Sequence, residues 1–501
     1  MPCKSILILF LSINLICNSL LATTYFVSNS GDDSYDGLTE NTAFETLQYA
    51  ADITTAGDSI FVENGTYVGF ALWSGGTNSA PIVFKASGDN VLINAPCSTT
   101  DGINVENADY VIIDGFIVND QPRNGIRLAL ANHCIVRNTH CDNNYERGIF
   151  TAFTDDILIE NNVCTNSIDE HGIYVSNSSD RPIIRFNECY GNNNIGIHMN
   201  GDLSAGGDGI ISDAQVYGNI LHDNNLAAGL NMDGVENPLI FNNLIYNNHN
   251  AQGIALFQQD GAIPTRGAKI YNNTIIVPYD GRWGILVNTG SNVGTEIFNN
   301  IIINQHDWRG CISVESIDQF SSDYNILNDK LSDQSDGLTI SFSDWQNLGL
   351  DQHSMIANAL NTIFSNHSQN DFHLVDENAQ AVDAGLLISS VLNDLDGNVR
   401  PNGSAYDIGV YEFLGTTALA SILQKSNISF HPNPFKAEIF LSNANMGELH
   451  FSLINIAGKE VFQGKVNNNR ITVGNHPKGS YILTIRNEKG RIVHSGMVVK
   501  I

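Results

Sequence analysis

The chain repeats a short pattern of apolar and polar positions about every 24 residues over most of its length. In most repeats a glycine precedes apolar residues at its first and third following positions, with other residues between them, as in the run from Gly196 to Asn200. This alternation is typical of a β-strand with one buried face. Most successive glycines are 23 or 24 residues apart in the series Gly102, Gly125, Gly148, Gly172, Gly196, Gly229, Gly253, Gly284 and Gly310.

A series of asparagines runs between these glycines in the same register. Its members are Asn138, Asn162, Asn187, Asn219, Asn243, Asn273 and Asn300. Short strands with glycine and asparagine at the corners and a period near 24 predict an all-β fold, a right-handed parallel β-helix with 23–24 residues per coil. Stacked coils would bring the asparagines into a ladder of mutually hydrogen-bonded amides. Ordinary turn asparagines on the surface are the alternative interpretation.

The two ends of the chain differ from this repeat. Residues 1–22 combine Lys4, an apolar stretch and Ala22, a pattern typical of a signal peptide that is removed on export. No other stretch has the length and hydropathy of a membrane span. Residues 23–413 are predicted to form the β-helix, and a helical pattern within residues 36–52 is expected to cap its first coil.

The C-terminal part of the chain is predicted to contain a separate domain. Residues 394–413 are rich in turn residues, and we expect them to close the stack of coils. Residues 414–427 are predicted to be a linker, and residues 428–501 to form a small β-sandwich-like domain.

Composition narrows the choice of partners and metals. The chain has 24 basic and 53 acidic residues, a formal net charge of -29, which argues against nucleic acid or an anionic membrane as a partner. Six cysteines lie beyond the signal peptide without a C-x-x-C pair, so a zinc site is not expected. Cys164 and Cys189 occupy equivalent positions in successive coils, which favours buried core residues over a disulfide.

The tail resembles the C-terminal sorting domain of the type IX secretion system, which is found in Bacteroidota. The similar segments are the run from Phe430 to Phe435, the run from Ile456 to Lys459, and the run from Gly479 to Leu483. The resemblance implies that the type IX machinery is a partner through residues 428–501. It also implies a secreted or cell-surface protein that crosses the outer membrane of a Gram-negative bacterium.

The body resembles the pectate-lyase-like class of bacterial right-handed β-helix proteins. The resemblance covers the run from His171 to Tyr174 and continues through the run from Asn231 to Gly234. It indicates the fold rather than the chemistry. The chain lacks the Gly-His-Gly and paired-aspartate motifs of polygalacturonases and the Arg-x-Pro-x-x-Arg motif of pectate lyases.

Register predicts where a site would lie. Since the first and third residues after each glycine point inward, the second and fourth point outward, so Tyr174, His198 and Asn231 become vertical neighbours. Two insertions follow the same strand and would project beside this face. The candidate catalytic residues are His198, Tyr174, Arg127, Asp233 and His171, and the candidate substrate-binding residues are Arg147, Asn200, Asn231, Arg282 and Trp283.

The predicted function is a secreted polysaccharide-active protein, foremost a lyase that cleaves a uronate-containing polymer by β-elimination. That reaction needs a cation, a base and an acid, for which Arg127 or Arg147, His198 and Tyr174 are candidates. A glycoside hydrolase using Asp233 with Asp202 or Asp208 is one alternative, and a non-catalytic carbohydrate-binding or cell-surface protein is another. The sequence identifies no cofactor with certainty, and Asp202 and Asp208 could contribute to a calcium site.

Overall fold

The computed structural model describes residues 22–415 and, in the tail, residues 429–431, 435–442, 449–455, 460–466, 468–474, 476–487 and 492–500. The predicted signal peptide, apart from its last residue, and the predicted linker, apart from its first two, lie outside the described residues. The chain divides into two compact units, Met1–Glu412 and Phe413–Ile501.

The first unit, called the body below, is a right-handed parallel β-helix, as predicted. Each typical coil contributes one short strand to each of three parallel sheets. The first sheet contains Thr24–Val27, Ser59–Val62, Ile82–Ala86, Val111–Asp114, Ile135–Arg137, Leu158–Glu160, Ile183–Arg185, Gln215–Tyr217, Leu239–Phe241, Lys269–Tyr271, Glu296–Phe298 and Ser321–Asp323. The second contains Phe70–Leu72, Ile103–Glu106, Asn124–Ala129, Arg147–Ala152, Ile173–Ser176, Ile197–Asn200, Leu230–Asp233, Ile254–Phe257, Ile285–Val287 and Ile312–Val314. The third contains Gly65–Val68, Val91–Ala95, Ile117–Asn119, His140–Asp142, Val163–Thr165, Glu188–Tyr190, Ile220–His222, Leu244–Tyr246, Thr274–Val277, Ile301–Asn304, Ile326–Leu327 and Met355–Ile356.

The second sheet has the predicted inward and outward positions. Ile197 pairs with Ile173 on one side and with Leu230 on the other, and all three side chains are fully buried. Equivalent apolar side chains from all three sheets form one continuous core inside the coils. Burial of these aliphatic columns is the main stabilising term, at about 25 cal/mol per Å² of apolar surface removed from water.

An asparagine ladder runs through one corner of the coils. The Nδ2 of Asn219 donates to the Oδ1 of Asn243 at 2.9 Å, and the Nδ2 of Asn243 donates to the Oδ1 of Asn273 at 3.0 Å. The buried ladder includes Asn162, Asn187, Asn219, Asn243, Asn273, Asn300 and Asn325. Each amide forms hydrogen bonds with the neighbouring amides and with a backbone carbonyl. The ladder therefore provides partners for backbone polar groups that are buried at this corner.

The prediction that Asn138 belongs to this ladder was wrong. Thr139 occupies the ladder position, where its backbone N–H and its hydroxyl both donate to the Oδ1 of Asn162. Asn138 lies one residue earlier, with a left-handed backbone (φ 55) and its amide bonded to Asp114. Asparagine suits both positions, because it tolerates the left-handed region and also stacks through its amide.

Helical segments cover both ends of the core. Helix Leu47–Ile53 buries Leu47, Ala50 and Ala51 over the first coil. At the other end, helix Phe342–Asn347 buries Trp345, whose Nε1 donates to Asp351 at 2.7 Å. The remaining short elements of the body are Glu40–Thr42, Leu203–Ala205, Ile211–Ser212, Val235–Glu236, Leu360–Ile363, Phe364–Asn366, His367–Gln369 and Asp371–Leu374.

The expectation that residues 394–413 close the stack was wrong, because this segment packs along its side. Residues 385–412, called the strap below, contact a column of left-handed corner asparagines. Asn272 donates to the carbonyl of Asp407 at 3.0 Å, and Asn299 donates to that of Leu386 at 2.7 Å. These corner amides point away from the coil and therefore bind the backbone of a neighbouring segment.

A buried ion pair holds the strap in place. The guanidinium of Arg400 lies 2.8 Å from the carboxylate of Glu412, and both side chains are almost completely buried. Arg400 also donates to the side-chain oxygen of Asn242 at 3.2 Å. Removing either partner would leave an unpaired buried charge. The pair therefore holds the C-terminal end of the strap in its observed position.

The cysteines of the body are buried and free. Cys141, Cys164 and Cys189 lie at paired positions on three successive strands of the third sheet. Burial and contact between neighbouring thiols raise the pKa of Cys141 and of Cys164 well above the usual value. They act as small apolar core residues, as expected. No helix among the described residues has the length and hydropathy needed to cross a membrane.

The second unit contains two antiparallel sheets. The described strands of one are Ser429–His431, Glu438–Ser442 and Arg470–Thr472, and those of the other are Glu460–Lys465, Leu449–Asn455, Gly479–Asn487 and Ile492–Lys500. Residues of both sheets, including Ile439, Ile471 and Leu483, share one apolar core. This antiparallel unit agrees with the predicted β-sandwich-like tail.

Deleting residues 414–501 is expected to leave the thermal unfolding of the body nearly unchanged. The body has its own continuous core, and the strap with its Arg400–Glu412 pair remains intact. Calorimetry of the full chain and the truncated chain would measure this directly. Loss of a cooperative transition in the truncated chain would contradict the expectation.

Candidate functional site

The outward face of the second sheet brings together the predicted column of polar and aromatic side chains. Tyr174 pairs with His198, and His198 pairs with Asn231. Arg127 and Phe150 occupy the two preceding coils in the same column. This face is called the outward face below, and it confirms the predicted vertical order.

Arg127 is held by an acid and an amide from the preceding coil. Its Nη1 donates to Glu106 Oε2 at 2.8 Å and to Asn104 Oδ1 at 2.7 Å. The side chain of Arg127 is 19% exposed, so its ion pair is partly shielded from solvent. The positive charge of Arg127 is therefore balanced within the protein.

Arg147 lies between two glutamates and over two aromatic rings. Its Nη1 is 2.6 Å from Glu146 Oε2, and its Nη2 is 2.5 Å from Glu170 Oε2. The guanidinium carbon lies 4.8 Å from the ring centre of Phe150 and 5.0 Å from that of Tyr174. These contacts fix the guanidinium plane against the outward face.

Two histidines and Tyr174 form a compact cluster beside Arg147. The His198 imidazole stacks on the Tyr174 ring with centroids 4.7 Å apart. His171 meets both rings edge-on, and its Nε2 lies 3.1 Å from the Nδ1 of His198. The same His171 Nε2 lies 3.6 Å from Glu170 Oε2. The predicted candidates His171, Tyr174 and His198 are thus in direct contact.

Burial controls the protonation of this cluster. It lowers the pKa of His198 to about 3, with a further contribution from Arg147, and holds that of His171 well below its usual value. It also raises the pKa of the Tyr174 hydroxyl and that of the Glu170 carboxyl, the latter against the opposing effect of Arg147. Near neutral pH the two imidazoles are therefore uncharged, and Tyr174 keeps its proton.

Asn200 connects the cluster to an inserted loop. Its Nδ2 donates to the Tyr174 hydroxyl at 3.2 Å and to Asp260 Oδ2 at 3.3 Å, while its Oδ1 accepts from the backbone N–H of Asp202. Asn200 is 4% exposed and positions Tyr174 from beneath the loop.

The catalytic role expected for Asp233 is not supported by its position. Its carboxylate accepts the backbone N–H groups of Gln259 at 2.9 Å, Asp260 at 2.7 Å and Gly261 at 3.2 Å. The residue is 1% exposed. Because both carboxylate oxygens bind an inserted loop, Asp233 anchors that loop and does not present its carboxylate on the outward face.

The two insertions pack against each other beside the outward face. The backbone N–H of Leu203 donates to the carbonyl of Asp260 at 2.9 Å, and that of Ala262 donates to the carbonyl of Gly209 at 2.9 Å. Asp202 accepts from Ser204, and Asp208 accepts from the N–H of Ile210, so each stabilises its own turn. Within the described part of the chain, no group of three or more His, Cys, Asp or Glu side chains could hold a metal ion. The calcium interpretation therefore gains no support from these two aspartates.

Trp283, a predicted substrate-binding residue, exposes no ring surface to a ligand. It is fully buried, and its Nε1 donates to Asp336 Oδ1 at 2.7 Å. Arg282 is ion-paired with the same carboxylate. Trp308, whose ring meets that of Trp283 edge-on, is 44% exposed. The Arg309 guanidinium lies 4.2 Å from the ring centre of Trp308.

Sequence reasoning missed the acidic partners of the arginines. Glu106, Glu146 and Glu170 each bind an arginine, and Asp260 reaches Asn200 from an insertion. Glu146 and Glu170 stand in equivalent positions of successive coils, just before the residues that precede Gly148 and Gly172. A comparison of these equivalent positions in the sequence would have identified both glutamates.

Several buried polar atoms on the outward face lack a hydrogen-bond partner. Among the residues that the structure describes, these include His198 Nε2, Asn231 Oδ1, Arg147 Nε and Asn104 Nδ2. Buried polar atoms are normally paired, so these four exceptions leave hydrogen-bonding capacity on one face that the described residues do not use.

Acidification is expected to destabilise the wild type more than the variant His198→Gln. Unfolded histidine binds a proton near pH 6.5, whereas folded His198 does so only near pH 3, so stability falls as the pH drops between these values. The slope is at most about 1.4 kcal/mol per pH unit for one such residue. Denaturant unfolding from pH 7 to pH 4 would measure the difference between the two proteins. Parallel curves would contradict it.

Two family models match separate parts of the chain. Residues 51–255 match the model described as periplasmic copper-binding protein (NosD), and residues 429–500 match the secretion system C-terminal sorting domain. No curated protein matches the chain.

Solved structures support the fold of the body. Pectate lyase Pel9A superposes with a TM-score of 0.52 at 16% identity, covering 78% of this chain and 96% of that one. The body therefore has a right-handed parallel β-helix fold similar to that of this lyase, and the tail matches the sorting-domain model over residues 429–500. A rhamnogalacturonan lyase matches this β-helix with a TM-score of 0.39 at 16% identity, covering 56% of this chain and 87% of that one. An alginate lyase from Paenibacillus sp. has a TM-score of 0.38 at 22% identity, covering 52% and 92%. The sorting domain indicates secretion or export to the cell surface.

Proposed function

We propose that the β-helix binds a linear polysaccharide along its outward face and cleaves it. The observation that carries this proposal is the cluster of His171, His198, Tyr174 and Arg147, with unpartnered polar atoms on a regular strand face. Stacked strands about 4.8 Å apart repeat at close to the length of one sugar unit, so successive coils can contact successive sugars. Aromatic and charged groups beside open hydrogen-bonding atoms suit a sugar ring.

The leading reaction is β-elimination on a uronate-containing polymer. A base removes the proton from the carbon beside the carboxylate, a carbon–carbon double bond forms, and the bond to the leaving oxygen breaks as an acid protonates that oxygen. Tyr174 is protonated and can act as the acid, and Arg147 can lie beside the carboxylate. Two groups of the cluster can accept a proton: neutral His198 and the Glu170 carboxylate.

Charge balance limits how acidic the polymer can be. Arg127 is paired with Glu106, and Arg147 is paired with two glutamates. Because the site has no excess of positive charge, a polymer with scattered uronates fits it better than one with a carboxylate on every sugar. Arg127→Ala would leave the Glu106 carboxylate unpaired, so it should weaken activity on an acidic polymer and have little effect on a neutral one.

Glycoside hydrolysis is a second candidate, favoured by Glu170. Burial raises the pKa of the Glu170 carboxyl, which is the direction of shift that a general acid requires. A hydrolase would need a second carboxylate across the sugar from Glu170. Copper binding, which the NosD family description names, is not proposed, because the described residues offer no cluster of metal-binding side chains.

The test is a screen of the purified chain against a panel of acidic and neutral polysaccharides. Elimination produces unsaturated sugars that absorb in the ultraviolet, whereas hydrolysis produces reducing ends without this absorbance. Binding without either product would favour a non-catalytic surface protein. Absence of both binding and cleavage across the panel would contradict the proposal.

We also propose that the type IX machinery exports the chain across the outer membrane by recognising residues 428–501. The match of residues 429–500 to a sorting domain supports this. In the native host, deletion of residues 428–501 should leave the body in the periplasm, and fractionation followed by immunoblotting would locate it. Unchanged export of the truncated chain would contradict the proposal.

A further inference from the structure

The backbone N–H of Ile195 determines which nitrogen of His171 carries the proton. Within the described part of the chain, the hydrogen-bond acceptor of this buried N–H is His171 Nδ1, at 3.4 Å. A backbone N–H always donates, so Nδ1 must present its lone pair. Since His171 is neutral, its proton lies on Nε2.

The proton on His171 in turn determines the tautomer of His198. The Nε2–H of His171 faces the Nδ1 of His198 at 3.1 Å, so that Nδ1 must accept. Two N–H groups at this distance would repel each other, which excludes the other tautomer of His198. Its proton therefore lies on Nε2, the atom that is buried on the outward face without a partner. His198 thus presents an N–H donor.

An unpartnered acceptor lies on the next coil. Asn231 is the strand partner of His198, and its Oδ1 is also buried without a hydrogen bond among the described residues. A donor and an acceptor at paired positions of neighbouring strands match a hydroxyl group, which accepts one hydrogen bond and donates another. A carboxylate only accepts, and it would face the Asn231 oxygen unfavourably.

We infer that His198 and Asn231 together bind one sugar hydroxyl, with His198 as donor and Asn231 as acceptor, and that His171 is the positioning residue that fixes the His198 tautomer. This inference rests on the proposed polysaccharide function and extends it to a specific subsite. It also removes His198 from the base role, because its outward nitrogen already carries a proton. In an elimination the proton would then be accepted by the carboxylate of Glu170.

The tautomer can be tested without any substrate. In the full chain labelled with ¹⁵N-histidine, the nitrogen shifts distinguish protonated from unprotonated ring nitrogens, and loss of signals in His198→Gln assigns His198. The expected result is a protonated Nε2 and an unprotonated Nδ1. The variant His171→Phe removes the donor to Nδ1, so His198 should become a mixture of tautomers. A protonated Nδ1 in the wild type would overturn the inference whatever the function is, and the wild-type spectrum decides this even if His171→Phe does not fold.

Activity or binding then tests the role of each side chain on a polymer that the screen has identified. His198→Gln retains a hydrogen-bond donor but has no titratable nitrogen. Its activity should therefore stay within about tenfold of that of the wild type and exceed that of His198→Ala. If His198 were the base, His198→Gln would instead lose about 10²–10⁴ in rate. Among variants of the acceptor residue, Asn231→Asp should bind the polymer more tightly than Asn231→Leu, because the aspartate keeps an oxygen in place. Equal losses in these two variants would overturn the hydroxyl subsite, whereas the tautomer result would stand.

Discussion

Tyr174→Phe is expected to lower turnover on the cleaved polysaccharide by about 10²–10⁴, the contribution of a well-placed general acid. The substitution removes only the hydroxyl, which accepts one hydrogen bond from Asn200. Ring stacking on His198 and the contact with Arg147 are retained. Stability should therefore fall by no more than about 1 kcal/mol. Steady-state kinetics with a thermal melt of each protein would separate the two effects.

The matched control is Tyr190→Phe on the third sheet. Tyr190 stacks on His222 with centroids 4.8 Å apart, as Tyr174 stacks on His198, but it lies away from the outward face. It should keep wild-type turnover. Full activity in Tyr174→Phe would remove the acid role from this residue and would place the chemistry elsewhere on the β-helix.

Asn243→Asp is expected to destabilise the body by about 3–5 kcal/mol, the usual result of leaving an uncompensated charge in the interior. Asn243 is fully buried, and its Nδ2 donates to Val216 at 2.9 Å and to Asn273 Oδ1 at 3.0 Å. In the variant an oxygen replaces this nitrogen and faces two acceptors. The shape of the side chain is unchanged, so the effect isolates the hydrogen-bonding pattern. Denaturant unfolding at neutral pH would measure it.

Asn90→Asp is the corresponding control, because Asn90 is exposed. A change within about 0.5 kcal/mol is expected there. The variant Asn243→Asp should also recover part of its stability at acidic pH, where the new carboxyl group becomes protonated. Similar melting temperatures for the two variants at neutral pH would show that the ladder contributes little.

The coil period was predictable because a parallel stack imposes the same burial pattern on every turn. Alternation around Ile197 and Met199 revealed the inward face, and pairing of these strands followed from the period. The ladder was misplaced by one residue at Asn138, since two adjacent corner positions both favour asparagine. The path of the strap was not predictable, because it depends on contacts such as that of Arg400 with Asn242, 158 positions away.

Only the features of the site that follow from the repeat could be predicted. The order of Tyr174, His198 and Asn231 follows from the register. Their hydrogen-bond partners do not, because these depend on the inserted loops. The register places Asp233 on the outward face, yet an insertion folds over it. Trp283 directly precedes Gly284 of the repeat, but its side chain turns towards Asp336. Periodicity gives no information about either of these contacts.

The strap also determines how mechanical load would enter the body. Any pull on the chain beyond residue 412 reaches the Arg400–Glu412 pair first, and from there passes to the corner amides of Asn242, Asn272 and Asn299. Tension is thus distributed over the several coils that carry these amides. A protein drawn through a membrane by its C-terminal tail would keep its terminal coil in place under such a force.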